Sequence, residues 1–177
     1  FLDEGCLGIV VPMVNNADDA KKAADAMRFP PIGKRSWGWG RAARYGDNYT
    51  EQVDNEVFLA VQIETRTAVE NAEAILSTPG VDGCWIGPGD LALSLGLHPR
   101  DRFTSDIHAE AVEKVLQACK NTGKFPGFAT SGPKEAMALA ARGFQFLTVG
   151  SDAGFILQGI AQQMAELGIE PGDQKAY

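Results

Sequence analysis

FLAVQIETRTAVENAEAILSTPGVDGCWIGPGDLALSL, from Phe58 to Leu95, reads as strand, helix, strand, and it decides how the rest of the chain is read. Val57 to Ile63 is an apolar, β-branched run of strand length. A helix is predicted from about Arg66 to Ser77, because Ala68, Val69, Ala72, Ile75 and Leu76 fall on one face. Val81 to Ile86 is the next strand. Each strand ends on an acid, Glu64 in VQIET and Asp90 in GPGDL. A strand buried on both faces should not finish on a carboxylate unless a cation waits there. Two such ends in consecutive βα units point to a divalent metal.

Towards the N-terminus, Leu7 to Val14 is predicted to be a buried strand. Asn15 or Asn16 then caps a helix running to about Met27, with Ala17, Ala20, Ala24 and Met27 on one face. Residues 28–56 break the pattern. Pro30, Pro31 and several glycines prevent regular structure, and only Tyr49 to Asn55 can turn helical. Two tryptophans and three arginines between Arg35 and Arg44 suit a functional loop, or one whose aromatics pack against a neighbouring subunit. Towards the C-terminus, Ser105 opens a helix with Ile107, Ala111, Val115 and Cys119 on one stripe, closed at Gly123. Phe125 to Thr130 is a fourth strand. Pro133 and Gly143 frame the next helix, Phe144 to Val149 is the fifth strand, and Phe155 to Leu167 is a final amphipathic helix. The polar tail at 170–177 is expected to fray.

Five strands, each followed by a helix, imply a parallel sheet in an α/β protein. A (β/α)8 TIM barrel takes about 250 residues, and the chain has 177. The expectation is one domain over 1–177, a partial barrel of about five βα units. FLDEG resembles the last turn of a helix closed by Gly5, so further βα units are expected before Phe1. The rival, an open doubly wound sheet, lacks its usual GxGxxG after the first strand.

A net charge of -7 argues against nucleic acid or an anionic membrane as partner. No apolar run is long enough to span a membrane and no signal peptide is visible, so a cytoplasmic protein is expected. Cys6, Cys84 and Cys119 are widely spaced and are read as buried small hydrophobes rather than a disulfide framework or zinc site.

In α/β architectures ligands gather at the C-terminal strand ends, where Glu64 and Asp90 lie. Two carboxylates with no His or Cys nearby form a hard oxygen site suited to Mg2+ or Mn2+. The competing reading makes both acids helix caps. It suits Asp90, placed to cap a turn at Leu91, but not Glu64, because Thr65 beside it is the better cap. Gly87, Pro88 and Gly89 form a turn offering backbone N–H groups beside the metal. Gln62 points to the same side of its strand as Glu64 and is a candidate substrate donor. His98 and His108 are read as surface residues. Ser131 and Ser151 are read as caps or mouth residues, and no strand carries a lysine for a Schiff base.

VPMVNNADDA, PPxGxR, VQIET, GVDGxxIGPxDL and FxxVGSD, spread from Leu2 to Asp152, resemble the HpcH/HpaI family of class II, pyruvate-specific aldolases. The resemblance implies a (β/α)8 barrel and a divalent metal (Mg2+, Mn2+ or Co2+). It also implies a homo-oligomer and reversible cleavage of 4-hydroxy-2-oxo acids to pyruvate and an aldehyde. By motif, Glu64 and Asp90 would be metal ligands, and Gln62, Gly89 and Asp90 would contact pyruvate. Asp3 would be the carboxylate that raises the basicity of a catalytic histidine. The aldehyde would lie under the Arg35–Tyr45 loop, where an arginine meets its carboxylate or hydroxyls. The family's catalytic His and enolate-stabilising Arg come from the first three βα units, which these residues do not include. A CoA-ester lyase, an oxaloacetate decarboxylase and an inactive half-barrel that only binds partners are the competing expectations.

Overall fold

A computed structural model of the chain describes residues 1–38 and 40–169, so Trp39 and the polar tail expected to fray lie outside the described residues. Five strands, β1 (Gly8–Val11), β2 (Phe58–Ile63), β3 (Gly83–Ile86), β4 (Phe125–Phe128) and β5 (Phe146–Leu147), form one sheet in the order β1-β2-β3-β4-β5. Every neighbouring pair is parallel. A doubly wound sheet reverses direction at a switch point and carries helices on both faces. Here each crossover moves the chain one strand in the same direction. Right-handed crossovers then put every helix on one face, and sheet twist curls the other face inward. That is the wall of a (β/α)8 barrel over five of its units.

Alternation along β2 separates the two faces. Leu59, Val61 and Ile63 are fully buried and point to the helix layer, together with Cys84 and Ile86 of β3. Against them pack Ile75 and Leu76 of α4 (Ala72–Leu76) and Val115 and Leu116 of α6 (Asp106–Thr122). Each such side chain contributes about 1.5–3 kcal/mol by leaving water. The inner face is aromatic at the N-terminal strand ends. Phe146 lies 4.7 Å from Trp85 and 5.5 Å from Phe58, centroid to centroid. At the C-terminal ends it turns polar, with Gln62 and Glu64.

Several expectations needed correction. β1 is not buried: it is an edge strand whose inner face is uncovered, and Leu7 and Val10 are exposed. The helix expected over Arg66–Ser77 is two, α3 (Arg66–Glu70) and α4, broken at Asn71, whose side-chain amide donates to the Asn15 carbonyl at 2.9 Å. Its predicted apolar set is nonetheless the buried set. The stripe on α6 is rotated: Ile107 is exposed and His108 is buried, because 108, 111, 112, 115 and 119 share the inward arc. Cys6 is exposed, while Cys84 and Cys119 touch in the core at 3.4 Å as free thiols. Contact with Cys84, and then burial, push the Cys119 thiol far up.

The other helices are α1 (Ala17–Met27), α2 (Tyr49–Glu56), α5 (Pro88–Ser94), α7 (Pro133–Arg142) and α8 (Asp152–Glu166). Asn16, not Asn15, caps α1, accepting from Asp19 N at 2.9 Å. Ser151 caps α8 through Gly154 N. No residue of α8 is buried, and Phe155, Ile156, Leu157 and Ile160 are all exposed. Among the described residues no helix is long and apolar enough to cross a membrane.

Candidate metal centre

Glu64 follows β2 directly and is 3 % exposed. Two neutral donors hold its carboxylate. Met13 N donates to Oε1 at 2.8 Å, and the Gln62 amide donates to Oε2 at 2.5 Å. The Gln62 amide therefore spends one donor on Glu64. Met13, which makes that bond, stands at φ 57°, in the left-handed region that a side chain disfavours by roughly 1–2 kcal/mol. Nothing in the sequence of VPMVNN announced that role. Thr65 caps α3 through Ala68 N at 3.0 Å and donates to the Asn15 side chain, tying the ends of β1 and β2 together. Glu64 is thus no cap.

Asp90 is no cap either. Gly87–Gly89, expected as a turn, instead open the helix α5, with Gly87 at the N-cap and Pro88 in the first turn. Asp90 lies inside that turn, exposed, with no hydrogen bond or ion pair among the described residues. Parallel pairing of Ile63 with Ile86 brings Gly87 beside Glu64. A Cβ on Gly87 would fall 2.7 Å from both Glu64 Oε2 and Gln62 Nε2, so the close approach demands glycine. At Gly89 a Cβ would meet nothing within 4 Å, leaving open space beside Asp90.

The donor set fits a hard cation. Glu64 is a nearly buried carboxylate held by neutral groups alone, and no lysine or arginine pairs with either acid among the described residues. A buried negative charge without a cation is costly. Two oxygen ligands with room for water and substrate oxygens suit Mg2+ or Mn2+. No group of three or more His, Cys, Asp or Glu that could hold a metal occurs among the described residues.

His98 caps the turn at Pro99–Phe103 through its Nδ1, as a surface residue. His108, expected on the surface, is 3 % exposed, and its Nε2 lies 3.2 Å from the Pro88 carbonyl. Burial pushes its pKa down, the Pro88 contact opposing. The spacing of His108 to Ala111, Val112 and Val115 carried the signal for its burial. Ser131 donates to Glu135 and lies outside the centre.

Asp3 sits in a short 3-10 turn, Leu2–Glu4, closed by Gly5. Arg35 binds it: Nη2 donates to Asp3 Oδ1 at 2.7 Å and to the Tyr49 hydroxyl at 3.0 Å, with the guanidinium 4.5 Å above the Phe29 ring. Burial works against the Arg35 charge, but its hydrogen bonds to Asp3 and Tyr49 outweigh burial and hold the pKa above its usual range. The Trp-rich loop thus folds back on its own chain, and Arg35 is committed to Asp3 rather than free for an aldehyde. Arg41 and Arg44 are exposed. Arg35→Met is expected to cost on the order of 2 kcal/mol in urea unfolding, less than a fully buried pair because Asp3 is half exposed.

The family model described as HpcH/HpaI aldolase/citrate lyase matches residues 1–158. A 2-keto-3-deoxy-L-rhamnonate aldolase of Klebsiella pneumoniae is 39 % identical over 168 residues, covering 93 % of this chain and 62 % of that protein. The chain therefore spans less than two thirds of the curated relatives it matches. A crystal structure of an HpcH/HpaI aldolase/citrate lyase family protein from Burkholderia cenocepacia superposes with a TM-score of 0.86 at 31 % identity, over 94 % of this chain and 67 % of that one. An HpcH/HpaI aldolase from Desulfitobacterium hafniense gives 0.82 at 30 % identity, over 97 % and 67 %.

Proposed function

Because the chain belongs to the HpcH/HpaI aldolase/citrate lyase family, we propose that it serves a metal-dependent aldolase that reversibly cleaves 4-hydroxy-2-oxo acids to pyruvate and an aldehyde. The 2-keto-3-deoxy acid in the name of its Klebsiella relative is of this chemical class. The observation that carries the reading is the pair of uncompensated carboxylates, Glu64 and Asp90, on consecutive βα units of the barrel wall.

In this reading Glu64 and Asp90 hold a divalent ion, Mg2+ or Mn2+, with Co2+ as a substitute. When bound, the ion supplies Lewis-acid stabilisation of the charge that develops on the keto-acid oxygen as the carbon–carbon bond breaks. Met13 N–H and the Gln62 amide keep the Glu64 carboxylate in one orientation. Gln62 presents its remaining amide groups, and Gly89 the open space beside Asp90, to the pyruvate part. Cleavage moves the bonding electron pair to the carbon that becomes the pyruvate methyl, while the 4-hydroxyl proton leaves to a base. By the family resemblance Asp3 would orient that base, and Arg35 holds the Asp3 carboxylate in place through Oδ1.

The test is pyruvate release from a 4-hydroxy-2-oxo acid. Activity blocked by EDTA and restored by Mn2+ is the expected result, and EDTA-insensitive turnover would point to other chemistry. Asp90→Asn, which keeps the shape and removes the charge, should weaken Mn2+ binding by roughly 10-fold or more in a calorimetric titration.

A further inference from the structure

We propose that His108 is the positioning residue that holds the first turn of α5, and with it Asp90, in register with Glu64. The inference rests on the metal reading above and adds a residue that this reading does not use.

The inward arc of α6 is otherwise apolar or small: Ala111, Val112, Val115, Leu116 and Cys119. An imidazole in that arc costs free energy unless its nitrogens are satisfied, and a leucine there would cost none. His108 satisfies one of its nitrogens by aiming Nε2 at the Pro88 carbonyl, 3.2 Å away. A carbonyl only accepts, so Nε2 carries the proton and donates.

The two helices differ in length and in capping. α6 runs for 17 residues, capped by Ser105 at one end and by Gly123 in the left-handed region at the other. α5 is only 7 residues long and has no side-chain cap. A short, uncapped helix has few hydrogen bonds of its own to fix its first turn. Its buried Pro88, Leu91 and Ala92 side chains and two contacts from outside do so instead. Gly87 is pressed against Glu64 and Gln62 on the inner face, and the Pro88 carbonyl is held by His108 from the helix layer. Asp90 follows two residues later with an unpartnered carboxylate, so its place depends on that backbone.

His108 also lines a cavity of about 250 Å3 whose walls are apolar at Phe103, Val112, Phe128 and Leu139 and charged at Arg102, Glu135 and Arg142. Leucine can occupy that space, which makes His108→Leu a usable probe that removes the donor without overpacking. Glutamine places an amide nitrogen near the imidazole Nε2 and serves as the rescue.

The experiment is an EPR-monitored Mn2+ titration of wild type, His108→Leu, His108→Gln and Asp90→Asn, with the thermal midpoint of each. The expected result is a roughly 10-fold loss of affinity in His108→Leu, the size found when a group orienting a ligand is removed. His108→Gln should lie close to wild type, with similar midpoints for both variants. His108→Leu at wild-type affinity would overturn the role of His108 while leaving the metal site standing, and so would His108→Gln as weak as leucine. A wild type that binds no Mn2+, or Asp90→Asn with unchanged affinity, would overturn the metal reading and this inference together.

Discussion

Glu64→Ala is expected to abolish Mn2+ binding in a calorimetric titration while leaving the fold intact. Removing a group that merely orients a ligand costs about 10–100-fold in affinity, and a direct ligand should exceed that range. The effect on stability is expected to stay within about 1 kcal/mol, for two opposing reasons. The substitution leaves Met13 N and the Gln62 amide without their acceptor. Met13 is exposed, so water can replace the acceptor there. Against this, Met13 is released from its left-handed backbone, and a nearly buried, unpaired charge disappears. A variant that binds Mn2+ as wild type does would remove Glu64 from the site. One that unfolds would show the carboxylate to be structural.

Gly87→Ala is the sharper test, because it adds one methyl group and changes no charge. The backbone at Gly87, φ -90° and ψ 93°, is open to alanine, so no strain arises from the chain itself. The new Cβ would lie 2.7 Å from Glu64 Oε2 and from Gln62 Nε2, and 3.2 Å from Glu64 Cβ. Two of these atoms end side chains that rotate away at small cost to the fold. The same rotation takes the Glu64 carboxylate away from Met13 N and Gln62, which hold its orientation. Mn2+ affinity is expected to fall by roughly 10- to 100-fold, with a thermal midpoint close to wild type. Gly89→Ala, which meets open space, is its control, with affinity near that of wild type. Equal affinity in wild type and Gly87→Ala would show that the contact with Glu64 is irrelevant to the site.

Much of this was legible in the residues. Leu59, Val61 and Ile63 alternate with Ala60 and Gln62 in a run of strand length, and Ala68, Val69, Ala72, Ile75 and Leu76 recur at helical spacing. Both patterns report burial, and burial is what the core consists of. Strict alternation of strand and helix fixed the parallel pairing, and with it the side of the sheet on which Glu64 and Asp90 emerge. Where the reading slipped, local pattern had competed with long-range contacts. The break at Asn71 depends on the Asn15 carbonyl, 56 residues earlier in the chain. β1 looked buried because it is apolar, yet it forms an edge of the sheet. On α6, a stripe spaced by four residues pointed to Ile107, while the true arc, spaced by three and four, takes His108 inward.

From the sequence alone came the order of elements, the apolar layer between sheet and helices, and two acids on consecutive βα units; Glu64 follows β2 directly, while Asp90 stands in the first turn of α5 rather than at the end of β3. Those follow from periodicity and residue chemistry, which are properties of neighbours along the chain. Only the tertiary structure decided that the left-handed Met13 meets Glu64, that Gly87 must lack a Cβ, that Arg35 is spent on Asp3, and that His108 reaches Pro88. Each of these joins segments 14 or more residues apart. Their partners are chosen by how the sheet curls and how the helices cross it, and no local pattern records that.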